Sequence, residues 1–397
     1  MNHCDARGTA VVPAARALGY VLAENLEASE PFPRFDNSAM DGFAIRSADT
    51  AGTSENHQAR LEIVDSVFAG EVGKRRIRRY EACRIMTGAP IPPGADAVAA
   101  KEVVSLEGNR ILIGHEIEKG RHIRRRGEEV TRGDIIIRKG ATIDAGVTAC
   151  IASLGRARVR VFRKPTVAVI ATGDETIAPG HRLGPGQIYD SNSYMLTAAL
   201  RQMGMAPIRV RHVGDHPSAL QSATAAAMRA ADVLVVTGGI SVGDRDYLRE
   251  VLGRQRVKEV FWRVRQKPGK PLYFGSRDRR VVFGLPGNPA SVFTCFYAYV
   301  YPALRRMAGH GDTSLPERKL PLAVSVKRDP VRWRFLKAKT VAGDRPAVCP
   351  LSRQASHMIS GLVDTDRLIV VPPGDGRIEA GTIVSTWSLP SGCGGAV

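Results

Sequence analysis

Between residues 165 and 308, short apolar segments alternate with longer segments of helical periodicity. The apolar segments are TVAVIAT, PIRVRHVG, DVLVVTGG and RVVFGLPG. Such alternation predicts βαβ units, in which the strands lie parallel in one sheet. Strands with little polar alternation are covered on both faces. We therefore predict a multidomain α/β protein whose central domain, residues 164–308, is a three-layer α/β/α arrangement around a mostly parallel sheet.

The segments on either side have different patterns. Short alternating runs between turn residues predict a small β-rich domain over 45–122. After residue 309 the helical periodicity disappears, and short strand-like segments predict a C-terminal β-barrel over 309–397. Residues 1–44 and 123–163 are predicted to form one discontinuous, mixed N-terminal domain.

Two helices are predicted in that N-terminal domain. Residues 11–27 have apolar side chains at helical spacing and are expected to form a helix that leads into a proline-rich loop. Residues 142–154 are expected to form a short helix with Thr142 or Asp144 as its N-cap.

The chain is strongly basic, with 57 Lys and Arg against 39 Asp and Glu and a formal charge of +18. Such a charge attracts anions over long distances. The densest basic stretches, residues 73–84 and 121–129, lack the interleaved aromatic side chains that stack on nucleic-acid bases. A nucleic-acid partner is therefore not expected, and a small phosphorylated ligand is favoured.

Cysteine usage and hydropathy predict a cytoplasmic protein. The six cysteines are scattered without a CxxC pair, which is typical of reduced and mostly buried thiols. The N-terminus has no apolar core of a signal peptide. The longest uncharged apolar stretch, Pro289 to Leu304, is too short to cross a membrane and is predicted to be a buried helix.

Three glycine-containing loops follow predicted strands. We name them the glycine loop (GGISVGDRDY, 238–247), the lysine loop (QKPGKP, 266–271) and the proline loop (GLPGNPAS, 284–291). Ligands of open α/β sheets bind beyond the carboxyl ends of the strands, where these loops are expected to lie. Paired lysines and the free N–H groups at a helix start suit an oxyanion. The sequence therefore predicts an anion and metal site.

Acidic side chains follow two other predicted strands. Asp174 and Glu175 in TGDE, and Asp215 in VGDHP, could hold Mg²⁺ through carboxylate oxygens. Each could equally cap the turn or helix that follows. The spacing of His212 and His216 imitates a zinc helix, but Gly214 prevents that helix.

The glycine loop also allows another class of enzyme. Its GISVG segment matches the nucleophile elbow of α/β-hydrolases, with Ser241 as nucleophile, although charged residues follow where an elbow needs a helix. A third alternative is a basic scaffold or nucleic-acid-binding protein. The chain has neither a Walker A sequence nor a dinucleotide-binding fingerprint.

Taken together, the motifs resemble the molybdopterin molybdenumtransferase family, the MoeA type that includes the E domain of gephyrin. The segments that carry the resemblance occur in order: PRFDNSAMDGFAIR (33–46), RIMTGAPIPPGADAV (84–98), IRRRGEE (123–129), ATGDE (171–175), GQIYDSNSYML (186–196) and the three loops. The resemblance therefore extends over nearly the whole chain.

The resemblance implies a reaction and an assembly. Molybdate is inserted into the dithiolene of adenylylated molybdopterin, and AMP is released with Mg²⁺. The chain is expected to form a homodimer in which residues 1–44 and 123–163 link and dimerise the subunits and residues 45–122 form a lid. The molybdopterin adenylyltransferase and molybdoenzyme acceptors are implied as further partners.

The resemblance also assigns residues. The implied catalytic residues are Asp41, Thr87, Glu175, Asp215, Asp246 and Lys267. The implied substrate-binding residues are Lys267, Lys270, Ser291, Arg332, Ser356, Gly239, Ser241, Pro286 and Pro289. The implied Mg²⁺ ligands are Asp174, Glu175, Asp215 and Asp246. The chain departs from the family pattern at Glu129, Arg263, Ala355 and Arg334.

Overall fold

The structure is a computed structural model that describes residues 3–240, 247–343 and 345–390. The chain folds into two compact units. Unit 1 comprises residues 1–24, 139–152 and 156–397, and unit 2 comprises residues 25–138 and 153–155.

The first part of the chain forms short strands and one α-helix. In chain order these are β1 Thr9–Pro13, β2 Leu26–Glu27, β3 Asn37–Ser38, β4 Gly42–Ile45, β5 Ala59–Val67, β6 Glu81–Ile85, β7 Ala97–Ala100, β8 Ser105–Glu107, β9 Arg110–Ile113, β10 Ile123–Arg124, β11 Ile135–Ile137, α1 Ala145–Ser153 and β12 Arg158–Phe162. Short 3₁₀ helices lie at Ala14–Arg16, Ser47–Thr50 and Lys101–Val103.

Unit 2 is built around a six-stranded sheet of order β7-β4-β6-β5-β9-β8. Only β5 and β6 pair in parallel. Both faces of the sheet are covered, because neighbouring residues of β4 pack into different cores: Phe43 and Ile45 into one, Ala44 into the other. This explains why the strand pattern here is only partly alternating.

The helix predicted over 11–27 is wrong. Thr9–Pro13 instead pairs antiparallel with β12, and Val21 and Leu22 form isolated bridges with Thr142 and Val161. The apolar stripe is not a buried helix face, since Leu18 is 68% exposed. The prediction for 142–154 is confirmed, and the Asp144 carboxylate caps α1 by accepting a hydrogen bond from the Val147 amide at 2.8 Å.

The central part of unit 1 alternates strands and helices as predicted. In chain order these are β13 Val167–Thr172, β14 Thr176–Ile177, β15 Ile188–Tyr189, α2 Asn192–Gln202, β16 Arg209–Val213, α3 Pro217–Ala230, β17 Val233–Thr237, α4 Leu248–Arg254, β18 Lys258–Trp262, β19 Gln266–Lys267, β20 Tyr273–Arg277, β21 Arg280–Leu285, α5 Pro289–Cys295 and α6 Tyr301–Met307. A π-helical turn, Phe296–Val300, joins α5 to α6.

The central sheet has the order β16-β13-β17-β21-β20-β18. The first four strands are parallel, whereas β20 and β18 add an antiparallel edge. One face packs against α2, α5 and α6, and the other packs against α3 and α4. The helices therefore cover the sheet on both sides, which is why β13 and β17 are buried along their whole length.

Pro289 to Leu304 is a buried helical segment, as predicted, and its apolar side chains belong to the core beside α2. No helix among the described residues is long and apolar enough to cross a membrane. Of the five cysteines in the described residues, none forms a disulfide; Cys150, predicted from its apolar surroundings to be buried, is exposed.

The C-terminal part of unit 1 is a curled sheet. The strands of this part are β22 Glu317–Pro321, β23 Val326–Lys327, β24 Trp333–Val341, β25 Ala347–Pro350, β26 Arg367–Val371, β27 Arg377–Ile378 and β28 Ile383–Ser388, of which β23 and β27 pair only with each other, outside the curled sheet. The order is β19-β24-β26-β28-β22, with β25 also paired to β24. The curl brings Leu322, just after β22, into a bridge with Val348 of β25. β19 comes from the central part of the chain, so the lysine loop is hydrogen-bonded into this sheet.

Candidate functional site

The lysine loop, the proline loop and the curled sheet enclose a cavity of about 450 Å³, which we name the lysine cavity. Its polar lining residues are Gln266, Lys267, Lys270, Asn288, Ser291, Arg332, Arg334, Gln354 and Ser356. The structure thus brings together five side chains that the sequence placed in one site: Lys267, Lys270, Ser291, Arg332 and Ser356. Pro286 also lines this cavity.

The lysine loop is held in place from both sides. Parallel pairing of β19 with β24 sets Lys267 opposite Arg334 in register. Beneath the loop, the buried Gln266 amide donates a hydrogen bond to the Pro268 carbonyl at 3.0 Å and accepts one from the Tyr299 hydroxyl at 2.5 Å. Gln266 thus links the turn that carries both lysines to Tyr299 of the helical segment 289–307.

Gly269 makes this turn possible. Its φ of +92° lies in the left-handed region that favours glycine. A Cβ atom at this position would also lie 2.5 Å from Cys295 Sγ and 2.7 Å from Gln266 Nε2. The loop therefore packs directly onto α5 only because residue 269 has no side chain.

Arg332 reaches the cavity with a fixed guanidinium. Its Nε and Nη2 donate to Asp329 Oδ2 at 3.0 and 2.8 Å, and its backbone amide donates to Asp329 Oδ1 at 3.0 Å. These hydrogen bonds lower the pKa of Asp329 to about 2. Asp329 was not singled out from the sequence, yet it determines where Arg332 points.

Arg334 adds a fourth cation to the lining. Its Nη1 donates to the Lys327 carbonyl. Burial lowers its pKa from the ordinary arginine value, and the neighbouring Arg332 acts in the same direction. The departure from the family pattern at this position therefore lies in the cavity itself and increases its positive charge.

The proline loop is tied to β17 and α2. The Thr237 hydroxyl donates to the Pro286 carbonyl at 2.9 Å. The Asn192 amide donates to the Gly287 carbonyl at 2.6 Å and to Thr237 Oγ1 at 3.1 Å. Asn192 is part of the GQIYDSNSYML motif, so a segment 95 positions away in the chain orients this loop.

The proline loop also contacts the connection between β25 and β26. The Asn288 amide donates to Ser356 Oγ at 3.3 Å, and the Ala290 amide donates to the Ser356 carbonyl at 3.1 Å. Pro289 begins α5, and Ser291, which is 4% exposed, lies in its first turn. These contacts place the hydroxyls of Ser291 and Ser356 on the same cavity.

Acidic side chains gather at the carboxyl ends of β13 and β16. The Asp215 amide donates to Asp174 Oδ1 at 3.0 Å, and the Asp174 amide donates to Asp215 Oδ2 at 3.4 Å. Each carboxylate therefore accepts a hydrogen bond from the backbone amide of the other residue, which joins the turn that contains Asp215 to the TGDE segment. Glu175 folds back over Gly173, where a Cβ atom would lie 2.7 Å from both carboxylate oxygens.

The glycine loop is described only in part. Gly238 and Gly239 directly follow β17 and have positive φ values of 89° and 60°. Ser241, Asp244 and Asp246 lie outside the described residues. Within residues 3–240, 247–343 and 345–390, no three His, Cys, Asp or Glu side chains are close enough to hold a metal ion. The zinc interpretation of His212 is not supported there, since its Nε2 instead contacts the Gly173 carbonyl at 2.9 Å.

In unit 2, Asp41 and Thr87 form a hydrogen-bonded pair. The amide and hydroxyl of Thr87 both donate to Asp41 Oδ1, at 2.8 and 2.7 Å. These two bonds lower the pKa of Asp41, and Lys101 at 3.8 Å contributes in the same direction. Asp41 also lines a cavity of about 620 Å³ in this unit, together with Lys101.

Comparison with known proteins identifies the family. Residues 2–155 match the model of the MoeA N-terminal region (domain I and II), residues 168–306 that of a probable molybdopterin binding domain, and residues 319–389 that of the MoeA C-terminal region (domain IV). A molybdopterin molybdenumtransferase of Staphylococcus epidermidis is 36% identical over 93% of this chain and 88% of its own. The chain belongs to the MoeA family.

Further members of the MoeA family agree in sequence and fold. The molybdopterin molybdenumtransferase of Staphylococcus aureus strain MSSA476 is 34% identical over 97% of this chain and 92% of its own. The crystal structure of a molybdopterin biosynthesis MoeA protein from Pyrococcus horikoshii superposes with a TM-score of 0.83 and 32% identity, over 98% of this chain and 96% of that one. The serine hydrolase and the scaffold or nucleic-acid-binding protein gain no support from these relatives.

Proposed function

We propose that this chain is a molybdopterin molybdenumtransferase, which inserts molybdate into the dithiolene of adenylylated molybdopterin and releases AMP with Mg²⁺. The observation that carries this proposal is the lysine cavity, where four cationic side chains and two serine hydroxyls meet. Relatives over nearly the whole chain with that printed name support it.

Molybdate is a tetrahedral dianion, and its binding needs several donors and compensating charge. Lys267 and Lys270 supply mobile point charges, whereas Arg332 supplies a planar donor group fixed by Asp329. Ser291 and Ser356 supply neutral donors on the cavity wall. We propose that these five residues bind molybdate and that Lys267 is also catalytic. The positive charge of Arg334 is proposed to strengthen the electrostatic attraction of the cavity for the dianion.

The phosphate end of the adenylylated substrate is proposed to lie at the carboxyl ends of β13, β16 and β17. Carboxylates are the donors that Mg²⁺ prefers, and we propose Asp174, Glu175, Asp215 and Asp246 as its ligands; Asp174 and Asp215 are already joined by hydrogen bonds to each other's backbone amides. The chemistry that bound Mg²⁺ would supply is stabilisation of the charge that develops at the cleaved phosphate.

Polar groups near this edge support a bound substrate. Among the described residues, Thr172 Oγ1 and Asn192 Oδ1 are buried and have no hydrogen-bond partner. Such groups are costly to bury unless a ligand or water pairs with them. We propose that Gly239, Ser241, Pro286 and Pro289 contact the substrate from the adjoining loops.

The remaining parts of the proposal rest on the family. We propose that residues 1–44 and 123–163 link and dimerise the subunits, that 45–122 form a lid, and that 164–308 and 309–397 are the molybdopterin-binding and C-terminal β-barrel domains. Asp41 and Thr87 would then complete the partner's site in a cytoplasmic homodimer. The molybdopterin adenylyltransferase and molybdoenzymes are the proposed protein partners.

The test is release of AMP from adenylylated molybdopterin by the purified full-length chain. Release should require both molybdate and Mg²⁺, and Lys267→Ala and Asp246→Asn should each lower the rate at least about a hundredfold. Lys258→Ala, which removes an exposed lysine of β18, is the matched control. Release that proceeds without molybdate, or that is equally fast in the Lys267 and Lys258 variants, would contradict the proposed roles.

A further inference from the structure

A second cationic cavity lies in unit 1 at the amino ends of the parallel strands, and we name it the arginine cavity. It has a volume of about 350 Å³ and is lined by Arg7, Gly8, Arg163, Asp232, Arg279 and Arg280. Asp232 immediately precedes β17, and Arg280 begins β21. The lysine cavity lies beyond the opposite ends of these strands, so the two cavities do not share residues.

Asp232, the acid among the residues that line this cavity, already accepts hydrogen bonds from the protein. Asp232 accepts hydrogen bonds from Arg163 Nη2 at 3.1 Å and from the Thr166 amide and hydroxyl, both at 2.8 Å. Burial raises the pKa of Asp232, but these hydrogen bonds outweigh that effect and lower it overall. Asp232 is therefore ionised and neutralises one arginine, which leaves a surplus of positive charge on the other three.

Arg7 is the most informative of those three. It is only 9% exposed, and its Nε is buried without a hydrogen-bond partner among the described residues. Its Nη2 makes one long hydrogen bond, at 3.5 Å, to the His3 carbonyl. A buried guanidinium with an unpaired donor is costly, and a bound acceptor would remove that cost.

The other two arginines are placed to complete such a site. Arg279 donates to the Ala6 carbonyl at 3.3 Å, which holds it beside the segment that carries Arg7. Arg280 forms no ion pair with a described carboxylate, so its charge is available to a ligand. Planar guanidinium groups from different segments bind the tetrahedral oxygens of a phosphoryl group well.

We propose that the arginine cavity is an anion site that binds a phosphoryl group through Arg7, Arg279 and Arg280. The group can be free inorganic phosphate or the phosphate of a small nucleotide, since the chemistry recognised is the same. This proposal is independent of the lysine cavity and of the transferase reaction.

The test is calorimetric titration of the full-length chain that carries Lys267→Ala and Lys270→Ala, which suppresses anion binding in the lysine cavity. Inorganic phosphate and ADP are the two probes, and the tighter binder identifies the source of the phosphoryl group. In this background at least one probe should bind with one site per chain. Adding Arg280→Gln should weaken that binding about tenfold or more.

Two further variants make the result decisive. Arg7→Lys keeps the charge but loses the planar donors, and it should also weaken binding. If Arg7→Lys does not fold, Arg280→Gln alone tests the proposal. Arg229→Gln removes an exposed arginine of the last turn of α3, outside the cavity, and should leave binding unchanged. Arg280→Gln alone should leave AMP release unchanged. Absence of saturable binding by both probes, or equal affinity in the Arg280 and Arg229 variants, would overturn the proposal.

Discussion

At the scale of single residues, the lysine cavity depends on side chains that position others. Asp329 orients Arg332, Gln266 supports the lysine loop, and Asn192 bridges the proline loop to β17. Asp329 was not predicted from the sequence as part of the site, and for Gln266 and Asn192, which lie inside the quoted motifs, no positioning role was predicted. Their partners lie on other elements or across a turn, and such contacts leave no local pattern in the chain. The ligand-facing lysines and serines, in contrast, were recognisable from their motifs.

Gly269→Ala is expected to destabilise the protein. The new methyl group would collide with Cys295 and Gln266, and the positive φ would be strained as well. We expect a loss of about 2 kcal/mol or more in the free energy of unfolding, measured by urea denaturation. The control is Gly253→Ala in α4, where a Cβ atom meets nothing within 4 Å and helix propensity favours alanine. Equal stability of the two variants would contradict this account of the loop.

The Asp329–Arg332 pair predicts a pH dependence of stability. The folded pKa of Asp329, about 2, is below the ordinary aspartate value of about 3.9. Its contribution is therefore complete above about pH 4 and is lost as the pH falls towards 2. Urea denaturation should show Asp329→Asn less stable than the parent at pH 6, and the difference should shrink between pH 4 and pH 2.

Asp278→Asn provides the control for that series. Asp278 is exposed and lies away from the lysine cavity, so this variant should match the parent closely at each pH. A difference between the Asp329 variant and the parent that stays constant down to pH 2 would rule out the ion pair as its cause.

At the scale of elements, the buried parallel strands were the easiest to predict. Their apolar segments are covered on both faces, so composition alone marks them. The antiparallel strands β18 and β20 of the central sheet were not predicted, and neither were β4 and β6 of unit 2. The helix predicted over 11–27 was wrong because β1 pairs with β12, almost 150 residues later in the chain. The apolar spacing of a short segment does not reveal such a distant partner.

The support of β19 by the helical segment 289–307 can be measured. Gln266→Leu should lower the free energy of unfolding by about 1–3 kcal/mol, because it leaves the Pro268 carbonyl and the Tyr299 hydroxyl without their partner. Tyr299→Phe removes only the hydroxyl and should cost less. In the double variant the two losses should not add, because both remove the same hydrogen bond. Strict additivity would show that the bond contributes nothing.

At the scale of the whole molecule, polarity patterns predicted the parallel central sheet, whereas the bounds of the four domains stay a prediction. The division into two compact units sets residues 25–138 apart from the rest of the N-terminal region, with β4 from Gly42 onward in the sheet of unit 2. Patterns of polarity identify sheets and helices, but they do not fix which segments of a discontinuous domain return to which partner. A contact of Asp41 and Thr87 with the lysine cavity of the partner subunit is part of the proposal of a dimer.

Subunit mixing tests that dimer. Asp41→Asn and Lys267→Ala should each be inactive alone in AMP release. If one chain supplies Asp41 and the other supplies Lys267, each mixed dimer has one site with both residues intact. An equal mixture after subunit exchange should then recover roughly a quarter of the parent activity, since about half of the dimers are mixed. No recovery in a mixture shown to have exchanged would place both residues in the same chain's site.

The pairing of β19 with β24 couples ligand occupancy to the cooperativity of unfolding. Two residues of the lysine loop are hydrogen-bonded into the C-terminal sheet, although most of the chain before them belongs to the parallel sheet. An anion bound by Arg332, beside β24, and by Ser291 of α5, which packs on the parallel sheet, would connect the two sheets and stabilise the folded form by mass action. On heating, the unfolding temperatures of the two sheets should differ less when molybdate is present. The substrate should therefore make the unfolding of unit 1 more cooperative.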